Sequence, residues 1–509
     1  MLPRRRGSTS RHPGENRFPY FRIFQTVFAL LVGALVLLEL SLFVERNLEP
    51  TVVISIIGDS GDNANTIPTQ ALFQQHLQKS KMSSSSAAAE SADASLNYKR
   101  VTRPNSSMRL QQQRTNLGSI SAKMFGTVND RREPKIAYAI SVTSCHPNST
   151  SVLDGAAVLG HSIHLASARV NNNSRYDYAL YAFVHVDAKS CAPILKQLGY
   201  TVLLKEGPPF SVEDIQNEQL QRQIELKGCC GSKEFLKLYA YSLVEHPIVV
   251  HFDTDAAVLQ PLDQLFDTML GDEYSRRQLP SEHLMGKDTL AKKRVADFYF
   301  TRDYHQGSQF TDDPQQYGVQ GGFFALLPNA TMLKELSQRL LTERFTTTRG
   351  WSNKGYHGYW GATQIQGFLS YVYGEYYPDR AVELNRCIYN SMINDDPYHS
   401  KTGHCRTQQA ACQDCRETPM DQIHTIHLTT CRKPWECPFL RPPQPLLCRK
   451  AHKAWFEIRQ SLEESWNQET PRNGWKTEWT LGYCKKVTAR VRHYVPMVLP
   501  NASTTFDIQ

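Results

Sequence analysis

From Lys135 onward the chain changes hydrophobic period again and again. "KIAYAISV" (135–142) is a short apolar run of strand character, and "DGAAVLGHSIHLASAR" (154–169) spaces Leu159, Ile163 and Ala166 helically behind Asp154, a candidate N-cap. "YALYAFVHV" (178–186) and "YTVLLKE" (200–206) read as strands again. "KEFLKLYAYSLV" (233–244) predicts a second helix with Phe235, Tyr239 and Leu243 on one stripe; Pro247 stops it before Ile248, Val249 and Val250, a short buried strand. Strands alternating with helices confine the chain to an α/β sheet covered on both faces. In such sheets ligand sites gather beyond the carboxyl ends of strands. Asp253 and Asp255 stand at such an end. Residues two apart in an extended chain project to one side, so this spacing predicts two carboxylates pointing together. Their repulsion calls for a cation between them, and a divalent metal is the natural candidate.

The 509 residues leave room for two domains, yet all 12 cysteines fall between Cys145 and Cys484. Ahead of them, Arg4, Arg5, Arg6, Arg11, Arg17 and Arg22 precede the apolar run from Ile23 to Val44, which is about one bilayer thickness long. Bulky Leu42, Phe43 and Val44 close the run where a cleaved signal peptide would end in small residues, so it reads as an uncleaved anchor. The arginines then stay in the cytosol and the remainder enters the lumen of the secretory pathway, a single-pass type II arrangement in a Golgi or ER membrane. Asn-x-Ser/Thr acceptors at Asn105, Asn148, Asn172, Asn329 and Asn501 are compatible with that compartment, and an even cysteine count there favours disulfides. "TVVISIIG" (51–58) reads either as an edge strand or as a continuation of the membrane-proximal segment. Much of 45–134 is rich in Ser, Ala, Gln and Asn, as in "SSSSAAAESADAS", and reads as a stem too polar to order itself. The expected organisation is a cytosolic tail (1–22), an anchor (23–44), a stem (45–134), a globular domain (135–440) and a C-terminal extension (441–509). The net charge of +8 comes with no basic stripe interleaved with aromatics, so no nucleic-acid partner is expected.

Asp-x-Asp alone is a weak motif, but four segments in order give it context. "KIAYAISV…DGAAVLGHSIHLA", "FLKLYAYSLVEHPIVVHFDTD", "VQGGFFALLPN" (319–329) and "HTIHLTTCRKPW" (424–435) together resemble the glycogenin-like glycosyltransferases, family 8 of the nucleotide-sugar-dependent enzymes. The resemblance covers 135 to about 438. It implies a GT-A, Rossmann-like mixed sheet flanked by helices, and transfer of a sugar with retention from a nucleotide donor, a UDP-sugar, to a glycan or protein acceptor. It implies Mn²⁺ or Mg²⁺ held by Asp253, Asp255 and His427; one imidazole beside two carboxylates suits manganese better than calcium. It places Lys433 on the donor diphosphate, Lys237 and Tyr138 against the donor, Gln320 and Gly321 beside the sugar, and Asp255 and Gln364 at the chemistry. From periodicity alone Lys237 belongs on a solvated face. Two departures from the family pattern stand out. Gln320-Gly321 replaces an Asn-Ser pair, and Thr363 replaces the aspartate before Gln364; the resemblance implies that Gln364 can orient the reacting centre without a strong carboxylate, with Asp297 and Asp303 as unplaced carboxylates able to substitute. These departures keep open a second reading, a membrane-anchored relative that binds glycans or a partner without catalysis.

The cysteines divide into two readings. Cys412-x-x-Cys415 with His424, His427, Cys431 and Cys437 resembles a zinc site with irregular spacing, while an oxidising lumen favours disulfides. Bridges from Cys431 or Cys437 would stiffen the loop around Lys433-Pro434-Trp435. Neighbouring Cys229 and Cys230 do not suit pairing with each other. In the extension, Trp455, Trp466, Trp475 and Trp479 read as core ahead of an acceptor platform.

Overall fold

A computed structural model describes residues 135–145, 151–167, 174–271, 279–285, 296–304, 317–394 and, from 405 to 499, all but 406, 408–411, 439–443, 472, 475 and 489–491. The apolar run 23–44, the 51–58 segment, the stem, the acceptors Asn105, Asn148, Asn172 and Asn501, and Trp475 lie outside the described residues. Among the described residues no helix is long and apolar enough to cross a membrane.

The strands are β1 (Lys135–Val142), β2 (Asp177–His185), β3 (Tyr200–Lys205), β4 (Val249–Phe252), β5 (Ala256–Val258), β6 (Phe298–Arg302), β7 (Val319–Leu326), β8 (Phe345–Thr346), β9 (Gly350–Trp351), β10 (Ala381–Glu383), β11 (Thr425–His427), β12 (Cys484–Lys486) and β13 (Arg492–Tyr494). The helices are α1 (Ser151–Ser167), α2 (Ala192–Gln197), α3 (Glu218–Leu226), α4 (Asp263–Leu270), α5 (Ala330–Thr342), α6 (Ile365–Glu375), α7 (Leu446–Ser465) and α8 (Thr477–Thr480). Seven strands form one mixed sheet in the order β10-β6-β7-β4-β1-β2-β3. β1, β2 and β3 run parallel, and β4 lies parallel on the other side of β1. The strand order therefore reverses at β1, and the crevice beyond the carboxyl ends of β1 and β4 is the switch point where such sheets take ligands. β7 pairs antiparallel with β4, setting Phe323 opposite Phe252.

Alternation along β1 supplies both cores. Ile136, Tyr138, Ile140 and Val142 face a layer containing α1, α4 and α7. Ala137 and Ala139 face the other layer, with Phe235, Leu336, Trp351 and Phe368. Burying each aliphatic or aromatic side chain of this size contributes about 1.5–3 kcal/mol.

Local structure departs from the sequence expectations in three places. The helix expected behind an Asp154 cap starts at Ser151, and Asp154 is fully buried inside it, accepting from Tyr494 Oη (2.8 Å) and the Met497 amide (3.0 Å). The 233–244 helix is a 3₁₀ helix, Gly231–Ser242. In that geometry residues three apart eclipse, which stacks Lys237 over Glu234 at 3.1 Å. The expected extended Asp253-Thr254-Asp255 is a turn between β4 and β5, closed by the Ala256 amide on the Asp253 carbonyl (3.2 Å).

The cysteines pair as Cys145–Cys191, Cys387–Cys415, Cys405–Cys412, Cys431–Cys448 and Cys437–Cys484. This overturns the zinc reading, since each of its four cysteines is spent on a different partner. The 446–466 segment is not a body apart. Along α7, Cys448, Ala451, Trp455, Phe456 and Leu462 recur at helical spacing and share the core of β1 and α1. Trp455 and Trp466 are core, as read from the sequence, while Trp479 is half-buried. Asn329 is exposed and also caps α5, accepting from the Thr331 (2.9 Å) and Met332 (3.2 Å) amides.

Candidate metal and donor site

The switch-point crevice is built by three backbone pairings. The Asp253 amide donates to the Gly322 carbonyl at 2.9 Å, tying the end of β4 to β7. β5 begins one residue after Asp255 and pairs antiparallel with β11, setting Ala256 opposite His427. The Leu428 amide then donates to the Asp255 carbonyl at 2.9 Å, so the His427 imidazole arrives beside the Asp255 carboxylate. Ile426 and Leu428 turn into the core, leaving His427 to face the crevice. Two glycines clear the ground. A Cβ on Gly322 would collide with the His427 ring, and one on Gly155, in the first turns of α1, would collide with the Thr254 carbonyl between the two aspartates.

The result is a compact set of charges. Ligand atoms of Asp253, Asp255 and His427 all lie within 4.8 Å of one another. Asp255 is buried and meets His427 Nε2 at 3.2 Å and Lys433 Nζ at 2.9 Å. Burial alone would raise its pKa, but His427 and Lys433 pull it far below the ordinary carboxylate range. Burial alone would depress His427, and Asp255 more than reverses this, so the imidazole holds its proton more tightly than usual. Its Nδ1 is buried without a partner. Two carboxylate oxygens and an imidazole nitrogen converge, and one buried ring nitrogen is left unsatisfied. That donor set fits a divalent ion of the manganese class.

The two lysines differ. Lys237 is buried, and its ammonium reaches Asp253 Oδ1 (2.9 Å), Glu234 Oε2 (3.1 Å) and the Gly321 carbonyl (3.1 Å). Burial opposes its charge, and Asp253 and Glu234 hold its pKa raised. With three protons and three acceptors the chain itself saturates it, so it positions Asp253 and the β7 edge. Lys433 keeps about 41% of its side chain exposed while bonded to Asp255, which leaves donors for a ligand.

Gln320 is buried, and its Oε1 accepts from the Gly322 amide (2.5 Å) and Asn390 Nδ2 (3.3 Å). Gln364, just ahead of α6, is buried; its Nε2 donates to the Ile224 (2.7 Å) and Lys227 (2.9 Å) carbonyls, leaving Oε1 unpartnered. Tyr138 is not joined to this cluster by any described contact. It lies on the large-residue face of β1, packed against Phe252 and Phe266 in the core. Of the two spare carboxylates, Asp297 sits at the opposite end of the sheet, bonded to Arg380 and carrying the Leu327 amide. Asp303 lies at the crevice end, its amide on the Gly318 carbonyl at 3.0 Å. Sequence reasoning missed Glu234 and Asn390. The three-residue spacing of Glu234 and Lys237 was a usable signal; nothing local marked Asn390.

No protein-family model matches the chain, and no curated protein matches its sequence. Solved structures that partly resemble it include mouse xyloside xylosyltransferase 1 in its apo form, with TM-score 0.32 and 12% identity over 58% of this chain and 97% of that one. The apo glycosyltransferase GlyE of Streptococcus pneumoniae gives TM-score 0.35 and 12% identity over 66% of this chain and 63% of that one. The galactosyltransferase LgtC, solved with donor and acceptor sugar analogues, gives 0.33 and 11% over 65% and 99%. All three are named as sugar transferases. Likeness at this level decides nothing about chemistry.

Proposed function

We propose that the chain is a metal-dependent, retaining glycosyltransferase of the glycogenin-like family 8, with a GT-A fold, moving a sugar from a UDP-sugar to a glycan or protein acceptor. The observation that carries this reading is the convergence of Asp253, Asp255 and His427 at the sheet's switch point, with Lys433 half-exposed on Asp255. Asp253, Asp255 and His427 would hold Mn²⁺ or Mg²⁺. Bound there, such an ion neutralises charge on a leaving diphosphate. Lys433 is the mobile cation of the site, able to pass from Asp255 to a phosphate oxygen. Lys237 keeps Asp253 in place and ionised. Gln364, clamped through its Nε2, offers a fixed carbonyl dipole to developing positive charge on a sugar carbon, a role that needs no carboxylate at Thr363. Gln320, spent on Gly322 and Asn390, is the observation that favours the non-catalytic alternative, since its amide oxygen is consumed within the chain. The proposed setting is the Golgi or ER lumen, with 23–44 as a type II anchor.

Incubating the full chain with a panel of sugar nucleotides and Mn²⁺ tests the activity without an acceptor. Slow hydrolysis of one donor, stopped by a chelator and restored by Mn²⁺, is the expected result. Glycan binding with no hydrolysis of any donor would select the non-catalytic reading. Protease treatment of sealed vesicles tests the setting: digestion of the globular part without detergent would overturn it.

A further inference from the structure

Ten cysteines are joined in disulfides, and the only two unpaired are Cys229 and Cys230. They occupy the short turn between α3 and the 3₁₀ helix, flanked by Gly228 (φ +77°) and Gly231 (φ +61°). Both flanking residues adopt left-handed backbone that glycine tolerates and other residues resist. The double reversal gathers the two thiols against Glu234, on the first turn of the 3₁₀ helix. Cys229 Sγ donates to Glu234 Oε1 at 2.6 Å, and the two sulfurs and the carboxylate lie within 4.8 Å of one another. Cys229 is exposed, so the set is open to solvent.

We propose that Cys229, Cys230 and Glu234 form a second metal site, separate from the aspartate cluster, for a thiophilic divalent cation of the zinc class. The donor chemistry separates the two sites: thiolates select zinc, whereas carboxylates with an imidazole accept manganese. Metal–sulfur bonds of about 2.3 Å in a tetrahedral site put sulfurs roughly 3.8 Å apart, so a small side-chain movement closes the set. Three protein ligands leave a fourth position for water. Binding releases the thiol protons to solvent, because the thiolates are the ligands. Glu234 links the site to the crevice, for its other oxygen holds Lys237, which holds Asp253.

Cobalt is the probe, because thiolate ligation gives it a sulfur-to-metal absorption band in the near ultraviolet. The full chain, stripped of metal and carrying two titratable thiols, should develop that band up to one equivalent of Co²⁺ and lose it on adding Zn²⁺. The Cys229→Ser/Cys230→Ser variant should show no band, while Asp253→Asn/Asp255→Asn should keep it. Glu234→Gln should weaken cobalt binding at least roughly tenfold, as losing a ligand requires. The readout is absorption, so the outcome is independent of whether the chain transfers sugars. The proposal is overturned if the parent gives no band with both thiols free, or if the double cysteine variant keeps the band. A chain purified with no titratable thiol would overturn it as well.

Discussion

Asp255 and Asp154 are both buried aspartates, and they are held in opposite states. Asp255 touches two potential cations, His427 and Lys433, and stays ionised far below the ordinary range. Asp154 is raised to about 6, chiefly by burial; the Met497 amide, the more distant Arg459 and the Tyr494 hydroxyl only partly offset this. The difference is one of partners rather than depth. A buried carboxylate with a half-exposed lysine among its partners is ready to exchange one cation for another. A buried carboxylate gripped by an amide and a hydroxyl is a staple, here fastening the 494–497 segment onto α1.

The largest expected effect breaks the pair on the Asp255 side. Asp255→Asn should cut donor turnover by roughly 10²-fold or more, since a ligand should matter at least as much as the outer-shell partners whose loss costs 10–100-fold. Circular dichroism should remain that of the parent. Equal loss of turnover in Asp154→Asn would dissolve the distinction. His427→Ala should raise the half-saturating Mn²⁺ concentration by about tenfold or more, with part of the rate recovered at high Mn²⁺. In the parent the requirement should climb as pH falls through a value above the ordinary histidine range, because Asp255 strengthens the proton that metal must displace. The variant should lack that dependence. An unchanged Mn²⁺ requirement in a less stable variant would return His427 to the core.

On the other side, a carboxyl whose folded pKa lies above its unfolded one contributes stability below about pH 4 that is lost as pH rises through the folded value. A rise to about 6 corresponds to about 3 kcal/mol. Denaturant melts of Asp154→Asn between about pH 4 and 7 should therefore lose a decline of up to that size. The smallest effect is Tyr494→Phe, expected to cost about 1 kcal/mol at neutral pH and to move the Asp154 titration higher. A melt indistinguishable from the parent would remove the hydroxyl from the staple.

What was legible in the chain was whatever its local pattern encodes. The alternating periods gave an α/β sheet covered on both faces, and the short strand read at Ile248, Val249 and Val250 put the aspartates at its carboxyl end. His427 was singled out by a motif spacing, and β5–β11 pairing is the physical reason it reaches Asp255. Lys237 read as solvated because periodicity cannot tell a 3₁₀ turn from an α-helical one. Asp154 read as a cap because its true partners, Tyr494 and Met497, come from the far end of the described chain and leave no local mark. Tyr138 followed the family motif; in the structure the alternation along β1 sets it on the face of Ile136, Ile140 and Val142.

The pairs Cys431–Cys448 and Cys437–Cys484 bracket Lys433. A ribosome delivers Asp253, Asp255 and His427 before either outer cysteine exists. The loop bearing Lys433 thus cannot be locked during the first part of synthesis, and its completion waits on residues more than fifty positions downstream of it in the case of Cys484. Maturation runs backwards along the chain here: two late-made elements, α7 and β12, return to fasten the loop of a crevice whose floor was laid earlier. A newborn molecule can therefore own every ligand for the metal and still be without its fastened lysine loop, a built-in delay between being made and being ready.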